Sequence, residues 1–537
     1  MCDIVNMILT LIWVVVLIAT AVLFLRQAYA TFDRYEIKYL KAVPILSDLI
    51  AIIRPKEHIG LDLAKTYNSF PNERFVGKLQ FLKEAILIRD PELIKKMTVK
   101  DYENFLNHPN TAPPESFFSK LLFFMKGEEW KEMRSTLSPA FTSSKIRLMV
   151  PFMEEVGDQM IQSLKKNIEN SKDGYIDIEC KDLTTRYAND VIATCAFGLK
   201  VDSHNEQNNQ FYLMGKILSG ISFAKILLYM ILVNVPYVME ILDWDFIPKS
   251  AQKYFKTLVL ETMKNRELQN IVRPDMIHLL MEAKKGKLKY HDDKSTDDGA
   301  GFATVEESAV GKKSLTNKVW TDDDLVAQAF IFFVAGFESV SSSMSFLLHE
   351  LALNPDVQER LVQEIKEHDE KLGGKVDFNS IQSLKYLDMV VSEVLRLWPP
   401  FVIIDRECTR DYNLGKPNDS AAREFVVRKG AELWIPTYAL HRDPQYFPDP
   451  EKFDPERFSE ENRHKIKPFT YMPFGSGPRN CIGSRFALCE MKVMAYQLLR
   501  HIELSPCEKT CIPAKLATDS FNLKLEGGHW LRCRLRK

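Results

Sequence analysis

At 537 residues the chain is long enough for several average domains, yet it carries no internal repeat and no long low-complexity linker, which reads as one large domain. A formal net charge of −1, from 71 basic and 72 acidic side chains, excludes the broad basic surface of a nucleic-acid binder. With 46% hydrophobic and 27% charged residues the composition is ordinary for a globular protein, so partners must be sought in local patches.

Met7 to Leu25 contains no charge and, as a helix, just spans the hydrocarbon of a bilayer. Arg26, Arg34, Lys38 and Lys41 follow it while Asp3 precedes it, so the positive-inside bias places residues 26 onward in the cytosol. Ala28-Tyr29-Ala30 looks like a signal-peptidase site, but the apolar run is long and lacks a basic leader, which favours a retained signal anchor. Residues 1–25 are therefore expected to be a transmembrane anchor, 26–50 a linker, and 51–537 the single large folded domain. The 9 cysteines follow no metal-site or pairing pattern, as expected for a reducing compartment.

Trp130-Lys131-Glu132-Met133-Arg134 follows Gly127 in a helical-looking stretch, where an i, i+4 pair shares one face. Taken alone, such a pair is more often an exposed cation packed on a ring. Gly220 to Val238 is a second apolar region, interrupted by Lys225, Asn234 and Pro236 and too short to span; it reads as an entrance lining or a headgroup contact, with a core helix nearly as good a reading. Residues 287–319, rich in aspartate and glycine, are expected to be a solvated loop.

Thr321 before Asp322-Asp323-Asp324 predicts a capped helix start, and Asn354-Pro355 predicts the next one, so a long helix should run to about Leu353. Within it stands Ala335-Gly336-Phe337-Glu338-Ser339, where Gly336 costs about 1 kcal/mol against alanine and invites an explanation: room for a diatomic ligand or a local widening. Glu393 and Arg396 stand i, i+3 on another helix, and Pro455-Glu456-Arg457-Phe458 follows downstream.

Phe474-Gly475-Ser476-Gly477-Pro478-Arg479-Asn480-Cys481-Ile482-Gly483 organises the chain. It runs into a helix of periodic apolar residues whose N-terminus favours a thiolate, which makes Cys481 the candidate iron ligand. Gly475, Gly477 and Gly483 let the backbone turn tightly beside a flat ligand, Arg479 is placed to reach a haem propionate, and Phe474 to shield the sulfur from water.

This F-x-x-G-x-R-x-C-x-G run resembles the haem-binding loop of the cytochrome P450 monooxygenases, closest to microsomal xenobiotic-metabolising members of insects and vertebrates. The other motifs extend the resemblance over nearly the whole chain. It implies a mainly α fold, a large helical domain with a small β-rich subdomain, and one N-terminal transmembrane helix. Haem b would be bound through Cys481, with Trp130, Arg134 and Arg406 at the propionates. Ala335, Gly336, Glu338 and Ser339 match the oxygen-activation segment, in which an acid and a hydroxyl relay protons to the oxygen being reduced. Most relatives have threonine where this chain has Ser339, and serine lacks the methyl that fixes the rotamer. Glu393, Arg396 and Arg457 would form a buried structural ion network.

The resemblance also implies substrate-cavity residues: Phe117, Phe118, Phe123, Phe124, the stretch Phe332 to Ala335, the stretch Phe401 to Ile404, and Phe521. An apolar pocket with few polar anchors favours lipophilic substrates. The implied activity is oxygen insertion from dioxygen, with NADPH electrons delivered by NADPH-cytochrome P450 reductase and a second possible donor in cytochrome b5. The implied location is the endoplasmic reticulum membrane, catalytic domain on the cytosolic face. Lys126, Lys131, Arg485 and Lys492 are the candidate reductase-docking cations. The alternatives are a reductase-independent peroxide isomerase or dehydratase, whose relatives generally lose the acid and hydroxyl retained here, and a non-catalytic membrane haem carrier or sensor.

Overall fold

A computed structural model describes residues 2–80, 83–109, 116–206, 208–220, 245–285, 301–304, 320–374 and 376–536, together with 225, 228, 229, 232, 238 and 241. Its first helix, α1 (Cys2–Arg34), leaves Leu11, Trp13, Leu17 and Leu23 exposed along the uncharged run. The helix does not stop at Leu25. Tyr29 and Phe32 are buried in the body of the protein, and Phe32 lies so close over Gly77 that a Cβ there would meet its ring at 2.9 Å. The expected linker of 26–50 is thus tied down at its start by two aromatic rings, because aromatic burial outweighs the freedom a hinge would keep. A short helix α2 (Leu46–Ile53) follows, with Leu46, Ile50 and Ile53 exposed.

Mostly helical structure surrounds small sheets. The largest sheet joins β1 (Phe75–Gln80), β2 (Lys83–Ile88), β3 (Ile404–Glu407) and β4 (Glu432–Ile435) in the order β1-β2-β4-β3. The β1–β2 and β3–β4 pairs are antiparallel and β2–β4 is parallel, so the sheet joins sequence-distant parts of the chain. Five helices build the site: α3 (Gly127–Leu137), α4 (Cys180–Ile192), a long interrupted helix of α5 (Asp322–Ala335) and α6 (Ser341–Leu353), α7 (Lys385–Leu397) and α8 (Ser484–His501).

The long helix starts where its sequence predicts. Thr321 Oγ1 accepts the Asp324 N–H, and Asp324 returns the bond to the Thr321 N–H, a reciprocal cap worth about 1 kcal/mol. Pro355 begins the next helix. Two described helices are long and apolar enough to cross a membrane, Asn6–Arg34 and Asp322–Leu353. The second is mostly buried, and its apolar residues serve the core.

Most of 287–319, and most of Gly220–Val238, lies outside the described residues. The described part of the former, Gly301–Thr304, is packed and not solvated: Phe302 stacks edge-on to Phe458 at 5.1 Å, Ala303 is buried, and the Phe302 N–H donates to Asp388 Oδ2 at 2.9 Å. Local charge density did not reveal an aromatic residue with a waiting pocket.

Candidate active site

A cavity of about 2410 Å³ is bounded by the α5–α6 helix, α3, β3 and the loop before α8. Cys481 lies on its wall and is exposed, but only to this interior space. Its N–H donates to Phe474 O at 2.8 Å, which closes the loop on itself. Burial pushes the thiol up, while the Gly483 amide bonded to it and the Arg134 guanidinium pull it back down. Gly477 has φ +71, and a Cβ there would sit 1.7 Å from Thr98 O, so only glycine fits this close approach.

Arg134, Arg406 and Arg479 line the same cavity. Burial, then the neighbouring Arg406 and Arg134 charges, bring Arg479 down to about 8; burial brings Arg406 to about 10. Crowding like charges in a dry wall is unfavourable unless an anion faces them. A flat dianionic ligand with a metal over Cys481 fits that wall, and haem with its propionates has this shape and charge.

A family model for cytochrome P450 matches residues 40–531. The chain belongs to the cytochrome P450 family. It is 43% identical to cytochrome P450 9e2 of Blattella germanica, the match covering 93% of each chain. Against probable cytochrome P450 9f2 of Drosophila melanogaster the identity is 40%, over 95% of this chain and 97% of the other. Probable cytochrome P450 6g2 of the same fly shows 36%, over 97% and 98%. This P450 is a haem-thiolate monooxygenase: it inserts one oxygen atom from dioxygen into lipophilic substrates, using NADPH electrons through a flavoprotein reductase. The isomerase and carrier alternatives gain no support from these relatives.

The other residues singled out in the sequence of this P450 meet in the same place, with different partners from those expected. Trp130 is buried on α3, and the cation over its ring is Arg479, at 4.0 Å, not its helix neighbour Arg134. Arg134 donates to Asn480 O at 2.9 Å and Asn480 Oδ1 at 2.7 Å, joining α3 to the cysteine loop. Arg479 donates to Leu106 O and Met125 O, at 2.7 and 2.5 Å, so it also ties both of these residues to the cysteine loop. Arg406 sits on β3 and donates to Asp405 O at 2.7 Å.

Gly336–Val340 is one π turn between α5 and α6, the widening that the glycine invited. Room for a small ligand is not what the missing side chain supplies: a Cβ on Gly336 would meet Ile192 Cδ1 of α4 at 2.4 Å, so the glycine permits helix packing. Ala335 and Ser339 face the cavity, and the Ser339 hydroxyl donates to Ala335 O at 2.5 Å. Glu338 Oε1 lies 3.2 Å from Lys181 Nζ and accepts from Ser342 Oγ at 3.3 Å.

The buried network is present: Arg396 grips both Glu393 oxygens at 2.7 and 2.9 Å, and Arg457 reaches Glu393 Oε1 at 3.4 Å. Phe117 and Val402 do not line the cavity; Phe117 packs on Phe330 and Val402 is buried in the core. The expected docking patch changes as well. Lys492 is buried against Asp388, at 2.7 Å, and cannot meet a partner, while Lys126 and Lys131 are paired with Glu407 and Glu128.

Two residues escaped the sequence reading. His108 lines the cavity, stacks on Phe123 at 4.0 Å and shares a 2.7 Å hydrogen bond with Asp405 Oδ1. Burial lowers its pKa to about 4 despite that carboxylate, so near neutral pH it is an uncharged imidazole donating from Nδ1. Lys181 is the other. Neither lies near its partner in sequence, and no motif marks them.

Proposed function

We propose that Cys481 would hold the haem iron through its thiolate, that Trp130, Arg134, Arg406 and Arg479 would form its propionate wall, and that Phe474 and Gly483 would close the sulfur side. One observation carries this reading: a cavity-facing cysteine and a buried guanidinium cluster border a single chamber. When bound, haem supplies reductive activation of dioxygen. Ser339 holds a proton at Oγ on the chamber wall, and the neighbouring Glu338 carboxylate, ion-paired with Lys181, takes up and passes on the proton that replaces it. Adjacent residues of a helical turn point in different directions, so the Glu338 side chain swings, or a water bridges, to reach Ser339. The aromatic wall excludes bulk water and binds substrates through apolar contact.

The location and second donor belong to the same proposal. The chain sits in the endoplasmic reticulum membrane through an anchor of residues 1–25, with 51–537 as a cytosolic catalytic domain and 26–50 packed on it through Tyr29 and Phe32. The positive flank Arg26, Arg34, Lys38 and Lys41 supports that orientation. Exposed Leu46, Ile50 and Ile53 on α2 support a second lipid contact. Cytochrome b5 would serve as an alternative electron donor beside the reductase.

Cys481→Ala tests the ligand. The reduced variant should lose the red-shifted carbon monoxide band that the wild type shows. Persistence of that band assigns the iron to another residue. Protease protection in sealed microsomes tests orientation: cleavage of the body from outside supports a cytosolic face, and full protection refutes it.

A further inference from the structure

A buried amide fastens the roof of the chamber to the long helix. Gln328 on α5 is fully buried; its Nε2 donates to Lys120 O at 2.6 Å and its Oε1 accepts the Leu122 N–H at 3.0 Å. The same Nε2 donates to Asp324 O, one turn back, at 3.0 Å. Lys120 Nζ adds an ion pair to Asp324 at 3.5 Å, and Phe117 meets Phe330 edge-on at 5.3 Å. The segment held in this way has only one short 3-10 turn, Phe118–Lys120, of its own, yet it puts Phe118, Leu122, Phe123 and Phe124 on the chamber wall.

From the other side, Arg479 holds the same segment by Leu122 O, Phe123 O and Met125 O. Its backbone is therefore clamped between the long helix and the cysteine loop. A side-chain amide offers a donor and an acceptor on separate atoms, so it can pair with a C=O and an N–H of the same passing strand at once. Leucine of similar size would leave the Leu122 N–H and Lys120 O unpaired in a dry site.

We propose that Gln328 is a specificity-setting positioning residue, which fixes the height of the 116–125 roof over the chamber and so the size of substrate admitted. The proposal rests on the reading of this chamber as the substrate site. Gln328 touches neither the reacting atoms nor Cys481. It acts through the roof.

The test uses purified full-length protein with reductase, and a series of alkoxyresorufins from methoxy to benzyloxy. Gln328→Leu should keep the thiolate carbon monoxide band while flattening the KM ranking across the series by fivefold or more, with a smaller change in kcat. Hydrogen exchange in the peptide containing Leu122 should speed up at least tenfold. Gln328→Glu keeps the acceptor for Leu122 but turns an oxygen on Lys120 O, so it should fall between wild type and Gln328→Leu; it also serves if the leucine variant loses haem. An unchanged KM ranking with unchanged exchange in either folded variant overturns the proposal. A wild type that shows no haem absorption shift with any member of the series overturns the chamber reading instead, and the proposal with it.

Discussion

The Glu338 carboxylate lies 3.2 Å from the Lys181 ammonium, across the contact between the π turn and α4. Lys181 also donates to Ser341 Oγ at 2.6 Å, so its charge is fixed in place. Burial lowers the Lys181 pKa, with the Glu338 charge opposing. Lys181→Met should leave haem content near wild type and change the solvent isotope effect on turnover, with product per NADPH falling severalfold. Identical coupling and isotope effect in wild type and variant would show that the ion pair plays no part in proton supply.

Ser339→Ala should preserve substrate binding and divert electrons to peroxide, because the hydroxyl that now donates to Ala335 O would be gone. Ser339→Thr should hold or improve coupling, since the added methyl fixes the rotamer; if the π turn has no room, overpacking costs about 1 to 3 kcal/mol and appears as a lowered Tm. Product and peroxide per NADPH, measured for all three proteins, decide between these. Equal coupling in wild type and Ser339→Ala would exclude the hydroxyl from the relay.

Removing residues 2–25 should be tolerated, while removing 2–34 should not. The second deletion takes away Phe32, fully buried, and Tyr29. Loss of a buried aromatic costs about 3 to 5 kcal/mol. The shorter deletion should also remain partly membrane-bound through α2 in a flotation assay. Equal Tm values for the two truncations would mean that the aromatic anchor contributes nothing to stability.

Acid should loosen the support of the cysteine loop through His441. Its Nε2 accepts the Met472 N–H at 2.9 Å, which requires the neutral ring, and burial first, then Arg396, lowers its pKa to about 3. Relative to an unfolded value near 6.5, the unfolded state binds more protons between the two values. The contribution is therefore complete above about pH 6.5 and is lost as pH falls toward 3, by an upper bound of a few kcal/mol. His441→Asn should show a shallower fall of Tm between pH 7 and 4. A slope equal to that of the wild type would assign the acid sensitivity to other groups.

The sequence alone determined the cysteine loop, the capped start of the long helix, the glycine that marks its widening and the Glu393–Arg396 pair. Each is a local pattern whose physics acts within a few residues: a cap, a π turn, a tight glycine turn, an i, i+3 pair. Tertiary structure alone decided the rest. His108 meets Asp405, and Gln328 meets Lys120 and Leu122, across hundreds of intervening residues. Trp130 takes its cation from Arg479 and not from Arg134, because the cysteine loop folds back over α3. Lys492 looked like a surface charge and is buried, since its pairing with Asp388 offsets its desolvation. Partner choice among charged and polar side chains depends on which distant segment arrives beside them, and no local pattern encodes that arrival.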